Sequence, residues 1–203
     1  GRERFSEIFN RYIELVAMGT VADVMTLSGE NRTFVAAGLA ALAKTKRPGL
    51  RRLLQETGLD RKRINTGSVG FALTPRLNAA GRMGVPTLAV DLIMTHEPEA
   101  AAHMAAELCR LNDERRHLVG DIYDEASEML LTQKVPGPIV LAKKGWYQGV
   151  MGIVAARIAE VHRLPTVMIC VDDDGVGRGS CRSFGSFQLY HALEACSDLL
   201  INF

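Results

Sequence analysis

Between residues 98 and 133 the apolar side chains Ala101, Met104, Leu108, Leu111, Leu118, Ile122, Ala126 and Met129 recur in steps of three and four, or their sum, with charges between them. That period places them along one face of a helix. Only Gly120 weakens the pattern, and Pro136-Gly137-Pro138 is a strong breaker at its end. At about 1.5 Å per residue such a helix would reach roughly 50 Å, more than one small domain is wide. The pattern therefore predicts two domains joined by a connecting helix, divided as residues 1–96, 97–135 and 136–203 of the 203 residues. The fold class is α/β, because the period changes at the break.

Before the connecting helix the chain reads as helical. Phe5, Ile8, Phe9, Tyr12, Ile13, Leu15 and Val16 are spaced for a first helix that Gly19-Thr20 interrupts. Ser28 to Asn31 is a turn with an N-cap, and residues 33–44 form a second helix. Pro48 suits the first turn of a third helix, with Gly58 as its C-terminal stop. Residues 67–83 are rich in glycine and broken by Pro75, so short helices and turns are expected there, and residues 86–95 are again helical. After the break, residues 139–142 and 166–171 are short apolar runs typical of strands buried on both faces, and residues 150–162 between them repeat at helical spacing. Strand, helix, strand is a βαβ unit. Asp172-Asp173-Asp174-Gly175 then makes a hairpin turn, residues 176–183 return antiparallel, and residues 188–200 close the chain as a helix.

Composition excludes several classes. Hydrophobic residues are 47% and charged residues 23%, which is ordinary for a globular chain, and no apolar run approaches a membrane span. The net charge of +1 predicts by itself no polyanionic partner. It hides an asymmetry. Residues 44–63 hold eight basic side chains (Lys44, Lys46, Arg47, Arg51, Arg52, Arg61, Lys62, Arg63) against Glu56 and Asp60, whereas residues 91–128 hold ten acids against three arginines. A pair of solvated helix faces is the commoner cause of such runs; an anionic ligand on the basic side is the other. The four cysteines lack metal-knuckle spacing and form no disulfide framework, which fits a reducing cytoplasm. No leader opens the chain, and its start without Met suggests a processed or excised piece.

Three constellations carry chemistry. Asp23 sits among Val21, Ala22, Val24 and Met25, where a carboxylate is costly to bury unless it is paired or metal-bound; a solvent-facing Asp is the simpler alternative. Arg76, Asn78 and Arg82 lie among small residues in residues 75–82, an arrangement suited to an anion or to plain surface exposure. In residues 175–183 (GVGRGSCRS), alternation puts Arg178, Ser180 and Arg182 on one face of a glycine-rich strand, either a phosphate cradle or an exposed hairpin. It is not a P-loop, because no Gly-Lys-Ser/Thr follows. Trp146, at the carboxyl end of a strand, could stack on a base or simply pack. Asp172 to Asp174 reads as a solvated turn, His96, His103 and His117 as surface residues, and no Ser-His-Asp set can be assigned.

Residues 12–31 (YIELVAMGTVADVMTLSGEN), 74–83 (TPRLNAAGRM), 145–157 (GWYQGVMGIVAAR) and 175–183, in that order, resemble the RecJ family of single-stranded-DNA exonucleases in the DHH phosphoesterase superfamily. The resemblance implies the C-terminal part of a DHH domain, a connecting helix and an incomplete DHH-associated domain. It implies degradation of single-stranded DNA from a 5′ end, in repair and recombination, through a two-metal Mn²⁺ or Mg²⁺ centre. Asp23 is carried over as a catalytic metal ligand, and Ser180 and Arg182 as ligands of the 5′ phosphate. Arg76, Asn78, Arg82, Arg178 and Trp146 follow as looser nucleic-acid contacts.

The chain departs from the family in lacking the DHH triplet, in ending before the family's Gly-Gly-His, and in having Tyr147 where His is usual. These departures imply the middle of a RecJ-like protein, inactive on its own. Two other readings are a DHH phosphoesterase acting on short oligonucleotides or nucleoside phosphates, and a non-catalytic nucleic-acid-binding module.

Overall fold

The computed structural model describes residues 2–132 and 137–203, in two compact units of residues 1–113 and 114–203. Gln133 and Pro136, at the expected end of the long helix and the start of its breaker, lie outside the described residues.

The first unit is helical. α1 (Arg2–Ala22) passes through Gly19-Thr20 without a break, because the Thr20 hydroxyl donates back to the Val16 carbonyl at 2.7 Å and keeps the turn closed. α2 (Gly29–Leu42) starts four residues earlier than the apolar spacing suggests and crosses α1 at Gly38. A Cβ at Gly38 would lie 2.3 Å from both the Ala17 Cβ and the Ile13 carbonyl oxygen, so glycine is what allows the two backbones to approach. α3 (Pro48–Glu56) has Pro48 in its first turn and Gly58 beyond its end at φ +64°, as expected. The fully buried Leu42, Leu50, Leu53, Leu73, Leu92 and Leu108 form the centre of one core. Each such leucine contributes on the order of 1.5–3 kcal/mol of transfer free energy.

Residues 66–82 differ from expectation. α4 (Thr66–Ser68), a π-helical turn (Val69–Leu73) and α5 (Thr74–Arg82) run end to end with no intervening turn. In a regular α-helix the Pro75 ring would collide with the Phe71 carbonyl and leave it without a donor. The wider π turn, closed by the Thr74 N–H on the Val69 carbonyl, makes room for the ring and puts Pro75 in the first turn of α5. Asn65 and Ser68 close the start of the segment as a capping box. α6 (Thr87–Met94) follows, and then α7 (Pro98–Thr132), the 35-residue helix that the period predicts.

In the second unit, residues from the latter part of α7, including Ile122 and Ala126, pack with a three-stranded sheet and α8. β1 (Ile139–Lys144) and β2 (Thr166–Val171) are parallel, Ile139 opposite Thr166 and Leu141 opposite Met168. α8 (Gln148–His162) connects them, which is the βαβ unit read from the sequence. β3 (Gly177–Arg182) pairs antiparallel with β2 in the order β1-β2-β3. Leu141, Met168, Val150, Met151 and Ile158 are fully buried between sheet and helix. The closing helix is shorter than expected: α9 (Leu189–Glu194), followed by a 3-10 turn (Ser197–Leu199). No described helix is long and apolar enough to cross a membrane.

Candidate nucleic-acid interface

The acidic turn is built by the end of α1. The Val24 N–H donates to the Val21 carbonyl and the Met25 N–H to the Thr20 carbonyl, both at 3.1 Å. This is a Schellman closure, with Asp23 as the C-cap and Val24 at the left-handed position, φ +54°. Asp23 is exposed and forms no ion pair among the described residues. Its carboxylate is a hard oxygen donor held on a fixed backbone, chemically suited to a divalent cation. No three His, Cys, Asp or Glu side chains gather as a metal site among the described residues, so Asp23 stands apart from any such cluster.

On α5 the three expected contacts separate. Arg76 is half-buried; its Nη1 donates to the Ala72 carbonyl at 2.7 Å and its Nε to the Cys109 Sγ at 3.3 Å. Asn78 and Arg82 are exposed on the same helix, and Arg82 is engaged within the structure. The Arg76 guanidinium is thus turned back onto the helix beside the π turn and onto Cys109 of α7.

The glycine-rich strand is better organised. Arg178, Ser180 and Arg182 stand opposite Cys170, Met168 and Thr166 of β2, on the sheet face that packs against α8. The Arg182 Nη1 donates to the Cys181 carbonyl at 2.7 Å, and Ser180 is half-buried beside it. A Cβ on Gly152 of α8 would lie 2.8 Å from the Arg182 Nη2. The guanidinium therefore fills the space that glycine leaves on the helix, an arrangement the sequence reading missed. Its one signal is Gly152 between Met151 and Ile153 inside the helical run. Arg178 leans on Asp172 at 3.4 Å, and the Ser183 hydroxyl donates to the Phe187 carbonyl. Asp172 to Asp174 form a turn, as read: the Asp172 carboxylate accepts the N–H groups of Asp174 and Val176. On the opposite face of β3, burial pushes the Cys181 thiol up from its ordinary pKa.

Trp146 is a correction. Its ring is 4% exposed in the second core, and its indole N–H donates to the Glu125 carboxylate, so no face of the ring is open for a base. Tyr147, the next residue, occupies the N-cap position of α8 and is exposed.

These features define a mixed α/β chain with an acidic helix-end turn in one unit and a basic, glycine-rich edge strand on a βαβ frame in the other. No family model matches it. It is 39% identical over 199 residues, 97% of the chain, to the single-stranded-DNA-specific exonuclease RecJ of Bacillus subtilis strain 168. Its structure superposes on crystal structures of RecJ from Thermus thermophilus in complex with Mg²⁺ (TM-score 0.82) and with Mn²⁺ (TM-score 0.81), each at 36% identity over 95% of the chain. The chain resembles RecJ over nearly its whole length. It spans 25% of the Bacillus relative and 30% and 28% of the two crystallised chains.

Proposed function

We propose that this chain is part of a 5′→3′ single-stranded-DNA exonuclease that hydrolyses phosphodiester bonds in DNA repair and recombination in the cytoplasm. The observation that carries the proposal is the β3 edge, where Ser180 and Arg182 stand two residues apart on one face, with the guanidinium seated over Gly152. A hydroxyl beside a guanidinium is a donor pair matched to a terminal phosphate, which offers several acceptor oxygens in one place. In this role Ser180 and Arg182 hold the 5′ phosphate and so set the end from which the strand is read. Arg178, already half-neutralised by Asp172, adds a weaker positive field.

Mn²⁺ or Mg²⁺ is the metal proposed, by likeness to the metal-bound RecJ structures. Two such ions would stabilise the attacking and leaving oxygens of an in-line displacement, and Asp23 would contribute one carboxylate to them. Since no further metal-binding cluster forms among the described residues, hydrolysis by this chain alone is not expected. That same observation favours a second reading for the isolated chain, a nucleic-acid-binding module without catalysis.

The test uses both the chain and the longer protein that contains it. In the longer protein Asp23→Ala abolishes hydrolysis, and Ser180→Ala with Arg182→Ala reduces the preference for 5′-phosphorylated over 5′-hydroxyl strands. Unchanged turnover in the first variant, or unchanged preference in the second, refutes the corresponding assignment. The chain alone with Mn²⁺ leaves single strands intact; robust degradation would overturn its predicted inactivity.

A further inference from the structure

The basic run at residues 44–63 has no part in the 5′-phosphate cradle or the acidic turn, and the structure sorts its charges into two groups. One group is neutralised. The Arg47 Nε meets the Glu14 Oε1 at 2.8 Å and its Nη2 the Arg11 carbonyl at 2.9 Å, with both side chains largely buried. The Arg52 Nη2 meets the Glu56 carboxylate at 2.6 Å, and Arg61 approaches Asp60 at 3.7 Å.

The other group is Lys44, Lys46, Arg51, Lys62 and Arg63, all exposed and none within ion-pair distance of an acid among the described residues. Lys44, Lys46 and Arg51 are gathered along two clefts, whereas Lys62 and Arg63 line neither. A cleft of about 470 Å³ is lined by Arg11, Lys44, Lys46, Arg47 and His96, its one acid being the Glu14 already held by Arg47. A second cleft of about 290 Å³ is lined by Lys46, Arg51 and Arg52. Lys46 and Pro48 belong to both, so the two clefts adjoin as one basic track around the start of α3.

We propose that this track on the first unit binds the phosphodiester backbone of a single strand, at a site separate from the 5′-phosphate cradle of the second unit. The inference rests on the single-stranded-DNA reading above and deepens it. Three observations favour a phosphate backbone. Three free cations are set along a track and not gathered round one pocket, as a run of repeating charges requires. Glu14, the one acid lining either cleft, is already paired with Arg47, so its charge opposes an incoming polyanion little. No Phe, Tyr or Trp lines either cleft, so contact is chiefly with phosphates and not bases, which suits an enzyme that must pass any sequence.

Anisotropy of the 203-residue chain with a 3′-labelled, 5′-hydroxyl oligothymidylate tests this without involving the cradle's phosphate. Each phosphate contact to a single strand contributes about 0.7 to the slope of log affinity against log salt. Lys44→Gln, Lys46→Gln and Arg51→Gln together are expected to lower that slope by about 2, and Lys46→Gln alone by about 0.7. All three side chains are exposed, and the single variant serves should the triple one fold poorly. Arg61→Gln, Lys62→Gln and Arg63→Gln remove the same charge outside both clefts and should leave the slope largely unchanged.

An unchanged slope in the triple variant overturns the proposal, as does an equal fall in the control triple. Displacement of the strand by polyglutamate at equal charge concentration would also overturn it, marking the track as a site for an acidic protein segment. Ser180→Ala with Arg182→Ala separates this idea from the functional reading. A lowered slope in the track triple together with an intact 5′-phosphate preference in the double variant leaves the track standing and the cradle refuted, whereas an unchanged slope in the triple with a lost preference in the double does the opposite.

Discussion

The Trp146 indole N–H donates to the Glu125 carboxylate at 2.7 Å, joining the loop after β1 to the side of α7. Lys143 meets the same carboxylate oxygen at 2.8 Å, and together these two donors hold the Glu125 carboxyl below the ordinary carboxylate range. The indole is buried and needs an acceptor; the carboxylate is partly exposed and has water as an alternative. Removing the acceptor therefore costs more than breaking the ion pair does. Glu125→Ala leaves a buried N–H unsatisfied and should destabilise the chain by about 1–2 kcal/mol in chemical denaturation. Glu125→Gln, which keeps an oxygen acceptor, should lose less. A folded-state pKa below the unfolded value gives stability that is present above about pH 4.3 and lost as pH falls below it. Glu125→Gln should flatten that acid limb, and an unchanged limb would show that the carboxylate takes no part in it.

At the end of α1, two residues run against helix physics. Asp23 places a negative charge at the negative end of the helix dipole, and Val24 places a β-branched side chain at a left-handed position where glycine is the usual choice. Val24 is 88% exposed, so no packing repays the strain. A non-glycine residue in this conformation costs about 1–2 kcal/mol, and the added freedom of glycine in the unfolded chain offsets part of that. Val24→Gly should therefore raise the stability by about 0.5–1 kcal/mol, read as an upward shift of the thermal midpoint. A fall would mean that the Val24 side chain makes contacts its exposure does not suggest.

Long-range order in this chain was legible where period alone decides it. The α7 stripe from Ala101 to Met129, the apolar runs of β1 and β2 and the return of β3 all follow from spacing, because a buried face must repeat with the backbone. What the spacing hid was settled by hydrogen bonds between particular groups. Gly19-Thr20 looked like a stop but is closed by the Thr20 hydroxyl, and Pro75 looked like a break but is accommodated by a π turn that has no sequence period of its own. Within the candidate site, alternation placed Arg178, Ser180 and Arg182 on one face of β3. It could not show that Arg182 would settle on Gly152, far from it in sequence, or that Glu125 would claim Trp146.

Two helical glycines give predictions of opposite sign, and Gly38 is the first. In an open helix Ala is favoured over Gly by about 1 kcal/mol. At Gly38, however, the added methyl would stand 2.3 Å from the Ile13 carbonyl oxygen and from the Ala17 Cβ, so α1 and α2 must move apart to admit it. Backbone and Cβ atoms do not yield as a side-chain tip does, and overpacking of this kind costs about 1–3 kcal/mol. Gly38→Ala should lower the thermal midpoint despite its better propensity. A rise would mean that the two helices separate freely.

At Gly152 the obstacle is the Arg182 Nη2, the free end of a flexible side chain, 2.8 Å from where the methyl would sit. The guanidinium can swing aside at small cost, so the propensity gain of about 1 kcal/mol survives and Gly152→Ala should raise the thermal midpoint. The same displacement moves the charge away from Ser180, its neighbour in the proposed phosphate cradle. A donor pair that no longer converges loses the added strength of multiple charge-assisted bonds to one phosphate. The variant should thus bind 5′-phosphorylated strands more weakly while its affinity for 5′-hydroxyl strands stays the same. Paired titrations with the two oligonucleotides read that difference directly. Equal affinities before and after the substitution would show that the seat of Arg182 on Gly152 matters for packing alone.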